Sequence, residues 1–198
     1  MRVDQPPEEV AQYVEGCARA VEKTLGVRLD LTPDTLPILD HYVDRLREGE
    51  SRVGRDPVTG LVAVMAGVYF GELVRLGFPC RWRTAGGEPA EWRIEFLRCV
   101  LMFYPVAVAW EVILRHDDHD LPSGFYVDEA ERSTVRERLA GLPGARPDEY
   151  YSFSQRWETL ALIAGWLTEK TAREAKERRR RPAAAAYDAL VRSIRTRG

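Results

Sequence analysis

The sequence predicts an α+β fold: a mostly helical single domain carrying a small antiparallel β-meander at about residues 80–104 and a long C-terminal helical region. Three observations predict it. Apolar residues recur at three- and four-residue spacing through most of the chain, as one buried face of a helix requires. That period switches to two where Trp92, Ile94 and Phe96 alternate with Glu91, Arg93 and Glu95, the pattern of a half-buried strand. With 45% hydrophobic and 30% charged residues over 198 positions, the chain has enough apolar surface for one core.

The first helix is expected over "PPEEVAQYVEGCARAVEKTLGV". Prolines and acids sit at its start, Val10, Val14, Cys17 and Val21 share one face, and Gly26 closes it. A second begins at "LTPDTLPILDHYVDRLREGE", with Thr32 as cap, Pro33 at the first helical position and a stripe through Leu36, Leu39, Tyr42, Val43 and Leu46. The third, "DPVTGLVAVMAGVYFGELVRLGF", is apolar nearly all round and is therefore the centre of the core. Gly67 and Gly71 lie four apart on it. Each costs about 1 kcal/mol in a helix, so the pair implies that another element packs closely there.

"CRWRT" and "EWRIEFL" then read as strands around a Gly86-Gly87 turn, and "CVLMFY" as a third strand. Pro105 opens the helix "PVAVAWEVILRH", and "LPSGFY" reads as a loop. "DEAERSTVRERLAG" is expected as a surface helix, with Asp128 and Glu131 at capping-box spacing. After the break at "LPGARP", a single long helix is expected from Asp148 through Arg181, its first half core and its second half solvated.

Residues 1–172 read as the globular domain and 173–198 as a basic helical extension. That extension holds nine Lys/Arg against three Asp/Glu, a local +6 on a chain of net charge −2. The apolar runs are shorter than the roughly 18 uninterrupted residues of a membrane span, so no membrane association is expected. The N-terminus lacks the parts of a secretion signal, which makes the cytoplasm the expected location. Cys17, Cys80 and Cys99 have no C-x-x-C spacing and read as small buried hydrophobes.

Leu39 and Asp40, then Gly67, Tyr69, Gly71 and Glu72, then Trp82, form a pattern over about residues 30–116. It resembles small uncharacterised bacterial α+β domains of unknown function, in which a G-x-Y-x-G-E helix precedes a tryptophan strand. The sequence departs from that pattern in lacking a glycine-rich turn between Phe96 and Val100. The resemblance implies a fold and no catalytic residue.

Four features bear on chemistry. "RHDDHD" places His116 with His119, and His116 with Asp120, on one face if the helix continues, and imidazole and carboxylate together ligate zinc, manganese or iron. The bland alternative is a helix end running into an acidic loop. Glu72, on an apolar helix, reads either as a general base or as the buried partner of Arg75, Arg81 or Arg83. Arg178, Arg179, Arg180 and Arg181 form a basic run suited to phosphates, with Tyr187 nearby for stacking. Tyr150, Tyr151 and Trp82 are of the types that dominate protein interfaces.

The nucleophile-elbow, P-loop, dinucleotide-binding and zinc-protease signatures are absent from the sequence. The reading that follows is a bacterial accessory or partner-binding protein, immunity-like or regulatory, with no cofactor and another protein as partner. A metal-dependent enzyme or metal-binding protein using His116 and His119 is one alternative. A nucleic-acid-associated protein acting through the basic C-terminus is another.

Overall fold

Two amphipathic helices lead into the core. The computed structural model describes residues 5–49, 56–84, 87–116, 124–142, 147–178 and 184–195. Helix α1 (Glu8–Leu25) buries Val10, Cys17, Ala18 and Val21 and ends at Gly26, whose φ of 73° is open to glycine at no steric cost. The chain then turns through Leu31 at φ 61°, a conformation leucine rarely adopts. Its backbone N–H is held there by the hydroxyl of the buried Tyr69, 2.7 Å away. A single 3-10 turn at Pro33–Thr35 passes into α2 (Leu36–Gly49), which buries Leu36, Leu39, Tyr42 and Val43.

The apolar helix α3 (Pro57–Gly77) is capped by Asp56, whose carboxylate accepts from the backbone N–H groups of Val58 and Thr59 at 2.9 and 3.0 Å. It is long and apolar enough to cross a bilayer, yet 67% of its most apolar window is buried inside the fold. Its glycine pair explains how. Helix α4 (Pro105–Leu114) passes so close that a Cβ on Gly67 would lie 2.6 Å from the Pro105 carbonyl oxygen and 2.7 Å from Val106 Cα. A Cβ on Gly71 would meet Pro105 Cγ at 2.8 Å and the Trp82 ring.

Strands β1 (Cys80–Arg83), β2 (Arg93–Phe96), β3 (Leu101–Phe103) and β4 (Phe125–Val127) form one antiparallel sheet in the order β1-β2-β3-β4. The register pairs Trp82 with Ile94, Ile94 with Phe103, and Phe103 with Phe125. Alternation puts these side chains, with Phe96, Leu101 and Val127, on the face that joins the main core. Arg81, Arg83, Arg93, Glu95, Met102 and Tyr126 take the other face.

Three local expectations are corrected. Phe125–Val127, read as loop, is β4: a three-residue strand is too short to show alternation, and pairing to β3 creates it. Strand β2 begins at Arg93, because Pro89–Glu91 form a 3-10 turn in which Trp92 N–H donates to Pro89 O at 3.2 Å. The single long helix is broken into α6 (Pro147–Tyr150) and α7 (Phe153–Arg178). Between them lies the cap of α7: Ser152 Oγ accepts from Gln155 N–H, while Asp40 of α2 accepts from Phe153 N–H at 2.6 Å and Ser154 N–H at 3.1 Å.

Helix α5 (Glu129–Ala140) is capped by Asp128, which accepts from Ala130 N–H at 3.0 Å. Glu131 turns away from the cap to pair with Lys170 of α7. Helix α8 (Ala184–Arg195) folds back onto the outer face of the sheet. Its Tyr187 and Leu190 close a second apolar cluster with Met102, Tyr104 and Ala107. The basic extension is thus anchored to the domain by a buried tyrosine.

Candidate anion-binding cleft

Among the described residues three glutamates are buried, and each is met by arginine: Glu72, Glu95 and Glu111. An unpaired carboxylate in such a place would carry a desolvation cost of several kcal/mol. The partners decide which of the three is a site and which is a fastening.

Glu72 is a fastening. Arg75 donates to it through Nε at 2.8 Å and Nη2 at 2.6 Å, and Trp82 Nε1 donates at 2.9 Å. Of the expected partners only Arg75 is used, because Arg81 and Arg83 point to the opposite face of the strand. Trp82, expected at a partner surface, is 8% exposed and packs on Gly71. Asp40, Gly67, Gly71, Glu72 and Trp82 are therefore packing and capping residues: Asp40 caps α7, the glycines admit α4, and Glu72 holds Trp82.

Glu111 is a second fastening. Its Oε2 lies 2.7 Å from Arg156 Nη2, and its Oε1 accepts from Gly124 N–H at 2.9 Å. The Arg156 guanidinium sits 4.6 Å from the Tyr150 ring centre and 5.6 Å from that of Tyr151. The two tyrosines meet edge to face at 4.8 Å. Tyr151 is half-buried and Tyr150 is 45% exposed, so of the pair Tyr150 offers the larger free surface.

Glu95 is different, because its partners open onto solvent. It lies on β2 with 2% of its side chain exposed. Arg81 donates to Oε2 from Nε at 3.2 Å and Nη2 at 3.0 Å, Arg83 to Oε2 from Nε at 3.0 Å, and Arg93 to Oε1 from Nε at 3.0 Å. Burial by itself would raise the carboxyl pKa; the hydrogen bonds from Arg83 and Arg81 and the charge of Arg93 outweigh it and hold it below the ordinary value. Glu95 is thus a fixed negative charge around which three guanidinium groups are arranged.

The arginines line a cleft of about 340 Å³ between the sheet and α8. Trp92, Glu91, Thr84 and Gly87 complete the sheet side; Tyr187, Asp188 and Arg195 form the α8 wall. Arg81 and Arg83 keep 41% and 43% of their side-chain surface exposed and Arg93 keeps 20%. The Trp92 indole donates to the Gly87 carbonyl at 2.9 Å, which ties two lining residues of the cleft to each other. Every proton-accepting position of Glu95 faces a cation, which makes it a poor base, and the arginines keep part of their surface open to the cleft.

The other candidates fare as follows. Helix α4 stops at Leu114, and Arg115 takes φ 55°, so His116 lies beyond the helix end. His119, Asp120 and the intervening aspartates lie outside the described residues, as do Arg179, Arg180, Arg181 and the side chain of Arg178. Among the described residues, no three His, Cys, Asp or Glu side chains gather to hold a metal ion. Burial pushes the thiols of Cys17 and Cys80 up to about 12 and that of Cys99 to about 11, far from a reactive thiolate at neutral pH.

Sequence reasoning missed the cleft. The signal was present in "RWR" and "RIE": once the apolar residues are assigned inward, the outward set of the two strands is three arginines and a glutamate. Pairing Arg81 with Glu95 requires the register, which the sequence does not state. Fold and site together define an α+β protein with a cationic cleft on the outer face of its sheet. No family model, curated protein or solved structure matches the chain.

Proposed function

We propose that this chain is a non-catalytic partner-binding protein of the accessory or regulatory kind, and that the arginine cleft receives an anionic group of its partner. The observation that carries the reading is the ordering of Arg81, Arg83 and Arg93 by one buried carboxylate. Free arginine side chains lose about 2 kcal/mol of rotamer entropy on being ordered. Here Glu95 has already imposed that order, so an incoming anion meets donors that are in place. The depressed pKa of Glu95 favours binding over proton transfer, because a general base must be able to take the proton it abstracts.

The test is a thermal-shift titration of the whole chain with citrate, matched for ionic strength with sodium chloride. Citrate should raise Tm beyond the salt control, and Arg81→Ala with Arg83→Ala should abolish the difference. Equal shifts from citrate and salt, or a citrate shift that survives both substitutions, would remove the cleft as a binding site.

A further inference from the structure

We infer that the group bound in the cleft is a phosphate monoester, held as its dianion between the sheet arginines and Arg195 of α8; this rests on the binding reading above. Three features distinguish it from a carboxylate. The first is charge. Arg81, Arg83 and Arg93 surround one carboxylate, which leaves the trio with an excess of two positive charges. Glu91 and Asp188 line the same cleft, but neither makes an ion pair with these arginines among the described residues. With Arg195 the lining holds four guanidinium groups against the three carboxylates of Glu91, Glu95 and Asp188, so one cation remains in surplus, and a monoester carrying between about −1.5 and −2 at neutral pH is drawn to it more strongly than a singly charged carboxylate.

The second feature is the direction of the donors. Arg83 reaches Glu95 through Nε alone, so both of its terminal nitrogens remain for a ligand. Arg81 and Arg93 each use Nε and one terminal nitrogen and keep the other. Arg195 approaches from the facing wall. Donors therefore come from two strands and a helix. A planar carboxylate fills one guanidinium fork, while three tetrahedral phosphoryl oxygens accept from separate directions. The third feature is room. At about 340 Å³ the cleft is in the range of small-molecule sites, which leaves space for the organic part of an ester beyond the phosphoryl group.

Calorimetric titration of the whole protein with phenyl phosphate, inorganic phosphate, sulfate and benzoate tests this. Phenyl phosphate should bind more tightly than inorganic phosphate, and benzoate at least about tenfold more weakly than phenyl phosphate. Lowering the pH from about 7.5 to about 5 protonates the monoester, so its affinity should fall while that of sulfate, a dianion at both values, stays level. Arg83→Ala and Arg195→Ala should each weaken phenyl phosphate about tenfold, and Arg83→Lys, which keeps the charge and loses the fork, should recover part of the loss. Arg195 is exposed on α8, so its variant reports on binding even if Arg83→Ala perturbs the strand.

Benzoate binding as tightly as phenyl phosphate, with both still dependent on Arg83, would overturn the phosphate inference and leave the anion cleft standing. Inorganic phosphate matching the ester would overturn the ester. A parallel pH loss for sulfate would overturn the dianion. Binding indifferent to both arginines, or no binding by any of the four, would overturn this inference and the cleft together.

Discussion

Glu72 accepts a hydrogen bond from Trp82 Nε1 at 2.9 Å, and the same carboxylate is clamped by two nitrogens of Arg75. Glu72 and Arg75 keep only 4% and 10% of their side-chain surface exposed. Glu72→Ala strands a buried guanidinium and an indole N–H together, so it should cost about 3 kcal/mol in urea denaturation. Trp82→Phe, which removes the indole donor and leaves the ion pair, should cost about 1 kcal/mol for the lost bond plus its packing. Equal losses from the two would show that the ion pair contributes little.

Asp40 is a second long-range fastening with a pH signature of its own. Burial raises its carboxyl pKa, and the hydrogen bonds from Ser154 and Phe153 oppose that without overcoming it. A folded-state pKa above the unfolded one means that the folded protein favours the protonated acid. The resulting stabilisation is fully present below the unfolded value and is lost as pH rises through the folded one. Wild type should therefore gain stability relative to Asp40→Asn as the pH is lowered toward the ordinary aspartate range. A difference between the two that is constant with pH would contradict the assignment.

Glu95 behaves in the opposite sense. Its folded pKa is depressed, so its stabilisation is present above the unfolded value and lost as pH falls through the folded one. Glu95→Gln should cost about 2 kcal/mol near neutrality, less than a fully buried pair because Arg81 and Arg83 are partly solvated. The gap between variant and wild type should narrow in acid. Chemical denaturation across the acid range measures both.

Two glycines in helices should respond to alanine with opposite signs. Gly67 faces the α4 backbone at distances a Cβ cannot occupy, so Gly67→Ala should destabilise by about 1–3 kcal/mol. Gly165, within α7, has open space where its Cβ would go, so Gly165→Ala should stabilise by about 0.5–1 kcal/mol through backbone entropy. Thermal melts of the pair check whether close approach, rather than flexibility, explains the Gly67–Gly71 spacing.

How legible the fold was depends on the range of the signal. Helices α1 and α3 begin and end where proline, aspartate and glycine place them, since caps act within one turn; α2 starts later than expected, at Leu36, because Pro33–Thr35 form a 3-10 turn and the Thr32 side chain makes no capping bond. The period-two stretch at Trp92–Phe96 revealed a strand because its alternation spans several residues. β4 did not show itself, as three residues carry no readable period. The break before α7 escaped for another reason: half of its cap comes from Asp40, 113 residues away.

The candidate site followed the same division. Tyr150, Tyr151 and Trp82 were singled out by residue type, yet Trp82 is consumed by the core and the tyrosines lie over Arg156. Arg81 and Arg83 are expected as partners of Glu72 and not as a group with Arg93, because each alone is an ordinary surface charge and only their register with Glu95 brings them together.

By itself the sequence determined the fold class, the central helix and the need for a close neighbour at its glycines, since periodicity, capping and backbone space are local properties. The tertiary structure alone decided which charges meet. Glu72 went to Arg75, Glu111 to Arg156, and Glu95 to three arginines, because a buried carboxylate must find its cation in space, and the partner that desolvation selects depends on strand register and helix packing.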